Sequence, residues 1–158
     1  MKKLKFILTG LCLLITLPLL ADNYSLNFDG VDDYVNLGDI MNDLYQPVTF
    51  QISTKFNGTG GPIFSTDNCG IYNCNYNGYW VDVSTTQISI AYGDGEWHGG
   101  GERRSGYANA NLLAGEWYSI TTIVRGPQDM SIYLNDAPLN VSYDGTGGSV
   151  NLQQTHSE

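Results

Sequence analysis

Tyr79-Trp80-Val81-Asp82-Val83-Ser84-Thr85-Thr86-Gln87-Ile88-Ser89-Ile90-Ala91-Tyr92 is the stretch that decides the fold. Tyr79, Val81 and Val83 share one face of a strand, opposite Trp80 and Asp82. Ile88, Ile90 and Tyr92 share one face of the next strand. A period of two residues is the signature of a strand with one face buried. The same pattern extends outward. Val48, Phe50 and Ile52 alternate with Thr49, Gln51 and Ser53. Trp117 to Arg125 predicts a long strand rich in β-branched residues. Met130, Ile132 and Leu134 alternate with Ser131 and Tyr133, and Asn135-Asp136 turns into Leu139 to Val141, which predicts a hairpin. Upstream, Gly60-Gly61-Pro62 precedes a short strand at Ile63 to Ser65. Tyr24 to Phe28 and Tyr34 to Leu37 predict two more strands around an Asp29-Gly30-Val31-Asp32-Asp33 turn, where glycine tolerates positive φ and aspartate bonds its own backbone. No stretch has helical periodicity. The fold class is all-β, a sandwich or barrel of short antiparallel strands.

A chain of 158 residues predicts one domain, and 42% hydrophobic residues suffice for a packed core. The net charge is −9. Three of the seven basic residues, Lys2, Lys3 and Lys5, stand at the N-terminus ahead of an apolar run from Phe6 to Leu17, with Pro18-Leu19-Leu20-Ala21 behind it. These are the parts of a signal peptide spanning residues 1–21, with cleavage after Ala21. The run is short for a membrane span, and no later stretch is long enough. A lipoprotein reading at Cys12 fails because Leu11 precedes it inside the apolar run. The mature part, residues 22–158, keeps four basic residues against all sixteen acids, a net charge of −12. Such a surface repels phosphate backbones and excludes nucleic acid as a partner. Cys69 and Cys74 are the two cysteines left in an exported chain, and their proximity predicts a disulfide that contributes about 2 kcal/mol. The alternative, a metal site, is not completed by two sulfurs.

Two segments carry a family resemblance. Leu26-Asn27-Phe28-Asp29-Gly30-Val31-Asp32-Asp33-Tyr34-Val35 resembles the opening of bacterial laminin-G-like domains, where a strand ends in Phe-Asp-Gly and Asp-Tyr-Val follows. Gly115-Glu116-Trp117-Tyr118-Ser119-Ile120-Thr121-Thr122-Ile123-Val124, followed by Met130-Ser131-Ile132-Tyr133-Leu134-Asn135-Asp136, resembles that family's later strand pair. The resemblance spans Tyr24 to Val141 and implies a concanavalin-A-like jelly roll, an antiparallel β-sandwich. It also implies a closing strand of the form Phe-x-Gly-x-Ile-Asp-Glu. Nothing up to Glu158 matches it, so we expect an open sheet edge or a chain that is a fragment of something longer. The resemblance places Trp117 at a structural core position.

Concanavalin-A-like folds include glucanases, which flank the scissile bond with two carboxylates. Their Glu-x-Asp-x-x-Glu signature is absent. Asp82 stands alone on its strand, while Glu96, Glu102 and Glu116 lie in or beside loops. A nucleophilic mechanism has only His98 and His156 to draw on after the signal. The expectation is therefore no catalytic residue. Asp29, Asp32 and Asp33 gather oxygen ligands in one turn, which suits calcium, the one cofactor the sequence offers a place for. The plain alternative is a turn capped by aspartates. Trp80 and Asp82 share an outward strand face if the valines face the core, an arrangement that suits stacking on a sugar. The alternative for Trp80 is burial. Trp97 and His98 stand in a glycine-rich loop, with Arg103, Arg104 and Tyr107 after it, a set able to hold a sugar, a sulfate or an acidic partner. The alternative is a solvated loop whose arginines offset nearby acids. Tyr72, Tyr76 and Tyr79 suggest a rim, or simply a tyrosine-rich exported β-protein.

These observations lead us to expect a secreted or surface-exposed bacterial recognition or adhesion module that binds glycan or extracellular protein, with calcium as an aid. The competing readings are a spacer domain of a larger surface protein and a glycan hydrolase.

Overall fold

Alternation builds two sheets. In the computed structural model of the chain, residues 25–38, 46–66, 77–94 and 103–145 are described. The chain divides into two units, Met1–Val35 and Asn36–Glu158. All strands among the described residues lie in the second: β1 (Val48–Lys55), β2 (Gly61–Ser65), β3 (Asn77–Val83), β4 (Gln87–Asp94), β5 (Arg104–Asn109), β6 (Trp117–Gly126), β7 (Asp129–Leu134), β8 (Ala137–Leu139) and β9 (Ser142–Asp144). One sheet has the order β1-β6-β7-β8 and the other β2-β3-β4-β5-β9. Every pairing is antiparallel. The two sheets pack together as an all-β sandwich, as the sequence pattern predicts.

The alternating residues meet in one core. Val48 and Phe50 of β1, Ile120 and Val124 of β6, and Met130 and Ile132 of β7 face Tyr79, Val81, Val83, Ile88, Ile90 and Tyr92 of the opposite sheet. Each such aliphatic side chain contributes about 1.5–3 kcal/mol when fully buried. An aromatic run crosses between the sheets. The Phe50 ring lies 4.4 Å from Phe64 and 5.6 Å from Tyr79, and Tyr79 lies 5.8 Å from Tyr92. These tilted pairs add specificity to area burial. Gly106 of β5 allows close approach from the other sheet, since a Cβ there would stand 2.8 Å from Met130 Sδ.

The connection between β5 and β6 ties the two sheets at one end. Ala110 N and Leu112 N donate to Thr86 O and Thr85 O at the β3–β4 turn, at 2.9 and 3.0 Å. Gly115 N then donates to Phe56 O, beyond β1, at 2.7 Å, and Phe56 N donates to Glu116 O at 3.0 Å. Leu112 and Phe56, both buried, fill the space beneath. The predicted β7–β8 hairpin is present. Asn135 and Asp136 have φ of 49° and 65°, the left-handed pair that a two-residue turn of matching twist requires.

Two expectations change. Trp117 is 53% exposed rather than buried. The inward positions of β6 are Tyr118, Ile120, Thr122 and Val124, so period two sends Trp117 to the outer face. Tyr118 takes the inward place, and its hydroxyl accepts a hydrogen bond from Leu113 N at 2.9 Å. Ser25 to Phe28 and Tyr34 to Leu37 are not strands. A strand needs a hydrogen-bonded neighbour, and the backbone bonds found in this stretch run to the side chains of Asp29, Asp33 and Asn36. Arg104 to Asn109, a segment for which the sequence pattern names no element, forms β5. The signal region, Cys69 and Cys74 lie outside the described residues.

Thr122 is 1% exposed and its hydroxyl has no hydrogen-bond partner. An unpaired buried hydroxyl costs about 1–3 kcal/mol. Thr122→Val keeps the shape and removes that cost, so urea titration should show the variant at least as stable as the parent, with an unchanged slope.

Candidate functional site

The parity that buries Tyr79, Val81 and Val83 sends Trp80 and Asp82 to the outward face of the five-stranded sheet. The register then fixes their neighbours. Trp80 lies opposite Ala91, Ala91 opposite Ser105, and Ser105 opposite Asp144. In the next row Asp82 lies opposite Ser89, and Ser89 opposite Tyr107. Gln87 begins the row beyond. Small residues, Ala91 and Ser89, therefore run along β4, with large ones on either side. Trp80 and Asp82 stand on β3 and Tyr107 on β5. The result is an open groove of about 320 Å³ lined by these residues and Arg103. Its size falls at the lower end of small-ligand pockets.

The groove is polar and carries two aromatic side chains, Trp80 and Tyr107. Trp80 and Asp82 are roughly 6.6 Å apart along the strand, two residues of rise. Ser89, Ser105, Tyr107 and Gln87 supply hydroxyls and an amide that donate and accept. Burial pushes the Asp82 carboxyl above the ordinary aspartate value of 3.8. No hydrogen bond or ion pair from the described residues offsets that burial. Asp144, at the rim, accepts from Gly145 N at 2.7 Å. Arg103 has an interaction partner of its own within the protein.

Of the residues singled out by sequence, Trp80, Asp82, Arg103 and Tyr107 come together here. Arg104 does not. It shares the inward parity of β5 with Gly106 and Ala108. Its Nε donates to Pro127 O and its Nη1 to Gly145 O. Its guanidinium also lies 5.4 Å from the centre of the Tyr143 ring. The Tyr143 hydroxyl in turn donates to Met130 O at 3.3 Å and accepts from Met130 N at 3.1 Å. Arg104 thus joins the end of β9 to the β6–β7 turn of the other sheet, a structural duty rather than a ligand contact. Trp97 and His98 lie outside the described residues.

The first unit holds the aspartate turn. Carboxylate oxygens of Asp29, Asp32 and Asp33 lie within 4.8 Å of one another, and all three residues are exposed. Val31 N donates to Asp29 Oδ1 at 2.8 Å and Asp29 N to Asp33 Oδ2 at 2.9 Å. Two of the three carboxylates therefore close the turn by themselves, the role that aspartates play in such turns without an ion. The cluster also has the oxygen chemistry of a hard-cation site.

Sequence reading missed Ser89, Ala91, Gln87, Ser105 and Asp144. The first three were within reach, because the inward set Ile88, Ile90 and Tyr92 implies an outward set on the same strand. Ser105 and Asp144 were not, because β5 and β9 carry too few apolar residues to announce themselves. Among protein families, curated proteins and solved structures, none matches this chain.

Two outcomes follow. Arg104→Ala should lower the stability of the fold by about 2–3 kcal/mol, the worth of its charged hydrogen bonds, as read by chemical unfolding. Asp82 has a folded-state pKa above its unfolded value, so its charge opposes folding at neutral pH, and that cost disappears as pH falls through the raised pKa. Asp82→Asn should therefore be the more stable protein at neutral pH, with the difference closing in acid. A variant less stable at neutral pH would show that the carboxylate is stabilised by a partner.

Proposed function

We propose that this is a secreted, non-catalytic recognition module that binds glycan on the outward face of its five-stranded sheet. The observation that carries the reading is the groove in which the Trp80 indole stands beside the Asp82 carboxylate, among hydroxyl and amide side chains. Sugars present flat C–H faces edged by hydroxyls. A half-buried aromatic ring at the wall of an open groove, beside carboxylate, amide and hydroxyl groups, complements both features. The resemblance of the Phe-Asp-Gly and Gly-x-Trp segments to laminin-G-like domains supports the same reading and, with it, jelly-roll connectivity. The basic and apolar N-terminal segment supports export, and no helix among the described residues is long and apolar enough to cross a membrane.

Carboxylate spacing argues for binding without hydrolysis. Among the described residues, Asp82 and Asp144 are the acids that line the groove. Strand spacing and rise put their backbones roughly 16 Å apart. Glycosidases hold their two carboxyl groups about 5–9.5 Å apart. Calcium remains the one cofactor of the reading, at Asp29, Asp32 and Asp33.

A glycan array probed with the secreted chain, with calcium and again with chelator, tests the proposal. The expected result is binding that Trp80→Ala weakens about thirtyfold, the scale of a central aromatic anchor. Loss of binding in chelator would support the calcium role. Silence across the array from a folded chain would overturn the glycan reading and leave protein recognition or a spacer role.

A further inference from the structure

Asp82 is the unusual member of the groove. A half-buried carboxylate ordinarily has a cation or several donors beside it, because desolvation without compensation is costly. Here the described residues give it neither. The facing positions are Pro62 on β2, Ser89 on β4 and, beyond it, Tyr107 on β5. Among the described residues, the charged groups in the groove besides Asp82 are Arg103, which has a partner of its own, and Asp144, a second acid. The chain as a whole carries a net charge of −9. An anionic sugar would bring like charge to Asp82 in a partly desolvated place. A ligand carrying a cation would supply the missing partner. An ammonium donates three hydrogen bonds, enough to reach Asp82 and a neighbouring hydroxyl such as Ser89. It also gains from the indole face nearby.

Resting on the glycan reading of this face, we propose that the groove selects saccharides bearing free primary amines. Asp82 is the group that recognises the ammonium, and Trp80 is the platform for the ring. Uronic, sulfated and sialylated glycans are disfavoured at the same place by the same carboxylate. N-acetylation removes the charge from the ligand and with it the preference.

The test compares hexamers of glucosamine and of galactosamine with their N-acetylated counterparts and with neutral hexoses of the same linkage. Binding to the full secreted chain is measured by calorimetry at neutral pH. A charge-assisted hydrogen bond should favour an aminated hexamer over its N-acetylated form about tenfold. Asp82→Asn should erase that preference while leaving affinity for the uncharged hexamers within about twofold, whereas Trp80→Ala weakens all of them. The preference should fade as pH falls through the titration of Asp82 and, separately, as it rises through that of the ligand amine.

Asp136→Asn is the control for general attraction of a polycation to an acidic protein. It removes one charge at the β7–β8 turn, in the other sheet. If it erodes the preference as much as Asp82→Asn does, or if Asp82→Asn leaves the preference intact, the assignment of Asp82 is wrong. Equal binding of aminated and N-acetylated hexamers, lost in Trp80→Ala, would overturn the amine proposal and leave the glycan face standing. Failure of a folded chain to bind any hexamer would overturn the amine proposal, and the array then decides the broader reading.

Discussion

Phe50 meets Phe64 at 4.4 Å and Tyr79 at 5.6 Å across the gap between the two sheets, and the rest of the structure depends on this contact. With Tyr79 turned inward, every second residue of β3 is committed to the core. Its antiparallel partner β4 is committed by register, and β5 by register to β4. A slip of one residue would bury Trp80 and Asp82 and expose Tyr79, Val81 and Val83. The hydrophobic cost of that exchange is what holds the outward face in place. The proposed binding groove is thus a by-product of core packing, with its side chains positioned by residues that never touch a ligand.

The groove also needs small residues in the right column. Ser89 and Ala91 on β4 leave room between the larger side chains of β3 and β5. On the inner face the same economy of volume is met at Gly106, where a side chain would collide with Met130 of the opposite sheet. Close approach of β5 to β7 brings Tyr143 within reach of the Met130 backbone and lets Arg104 bridge to Pro127 and Gly145. The charge of Arg104 thereby secures the end of the sandwich, and Asp82 keeps its place on the other face without it.

Asp82 and Thr122 are both polar groups held at a cost, but they differ in what that cost implies. Thr122 is sealed in the core, where no ligand reaches it, and its unpaired hydroxyl is a defect of packing. Asp82 lies in an open groove, and its unpaired charge can be satisfied from solution. Binding sites commonly trade stability for such readiness, because a group already paired within the protein has less to offer a ligand. The aspartates of the first unit present the opposite case. Two of their three carboxylates, those of Asp29 and Asp33, are engaged by the backbone of their own turn.

Much of this was legible in the sequence, and the reason is periodicity. Strongly alternating segments, Val48 to Ile52, Tyr79 to Tyr92 and Met130 to Leu134, announce both strand and facing, because a half-buried strand must repeat every two residues. The pairing of Trp80 with Asp82 on one outward face followed from the same rule. Tertiary structure alone decided which strands became neighbours, and so brought Tyr107, Ser105 and Asp144 to that face from β5, whose serine, glycine and alanine hide its period, and from β9, which is only three residues long. It also decided parity where a motif misled, turning Trp117 outward and Tyr118 inward on β6. Arg103 and Arg104, adjacent in the chain and alike in chemistry, were separated by one residue of strand into a groove-lining group and a structural clasp. Local sequence carries period and turn chemistry, but neighbours across a sheet are chosen by how the whole core fills.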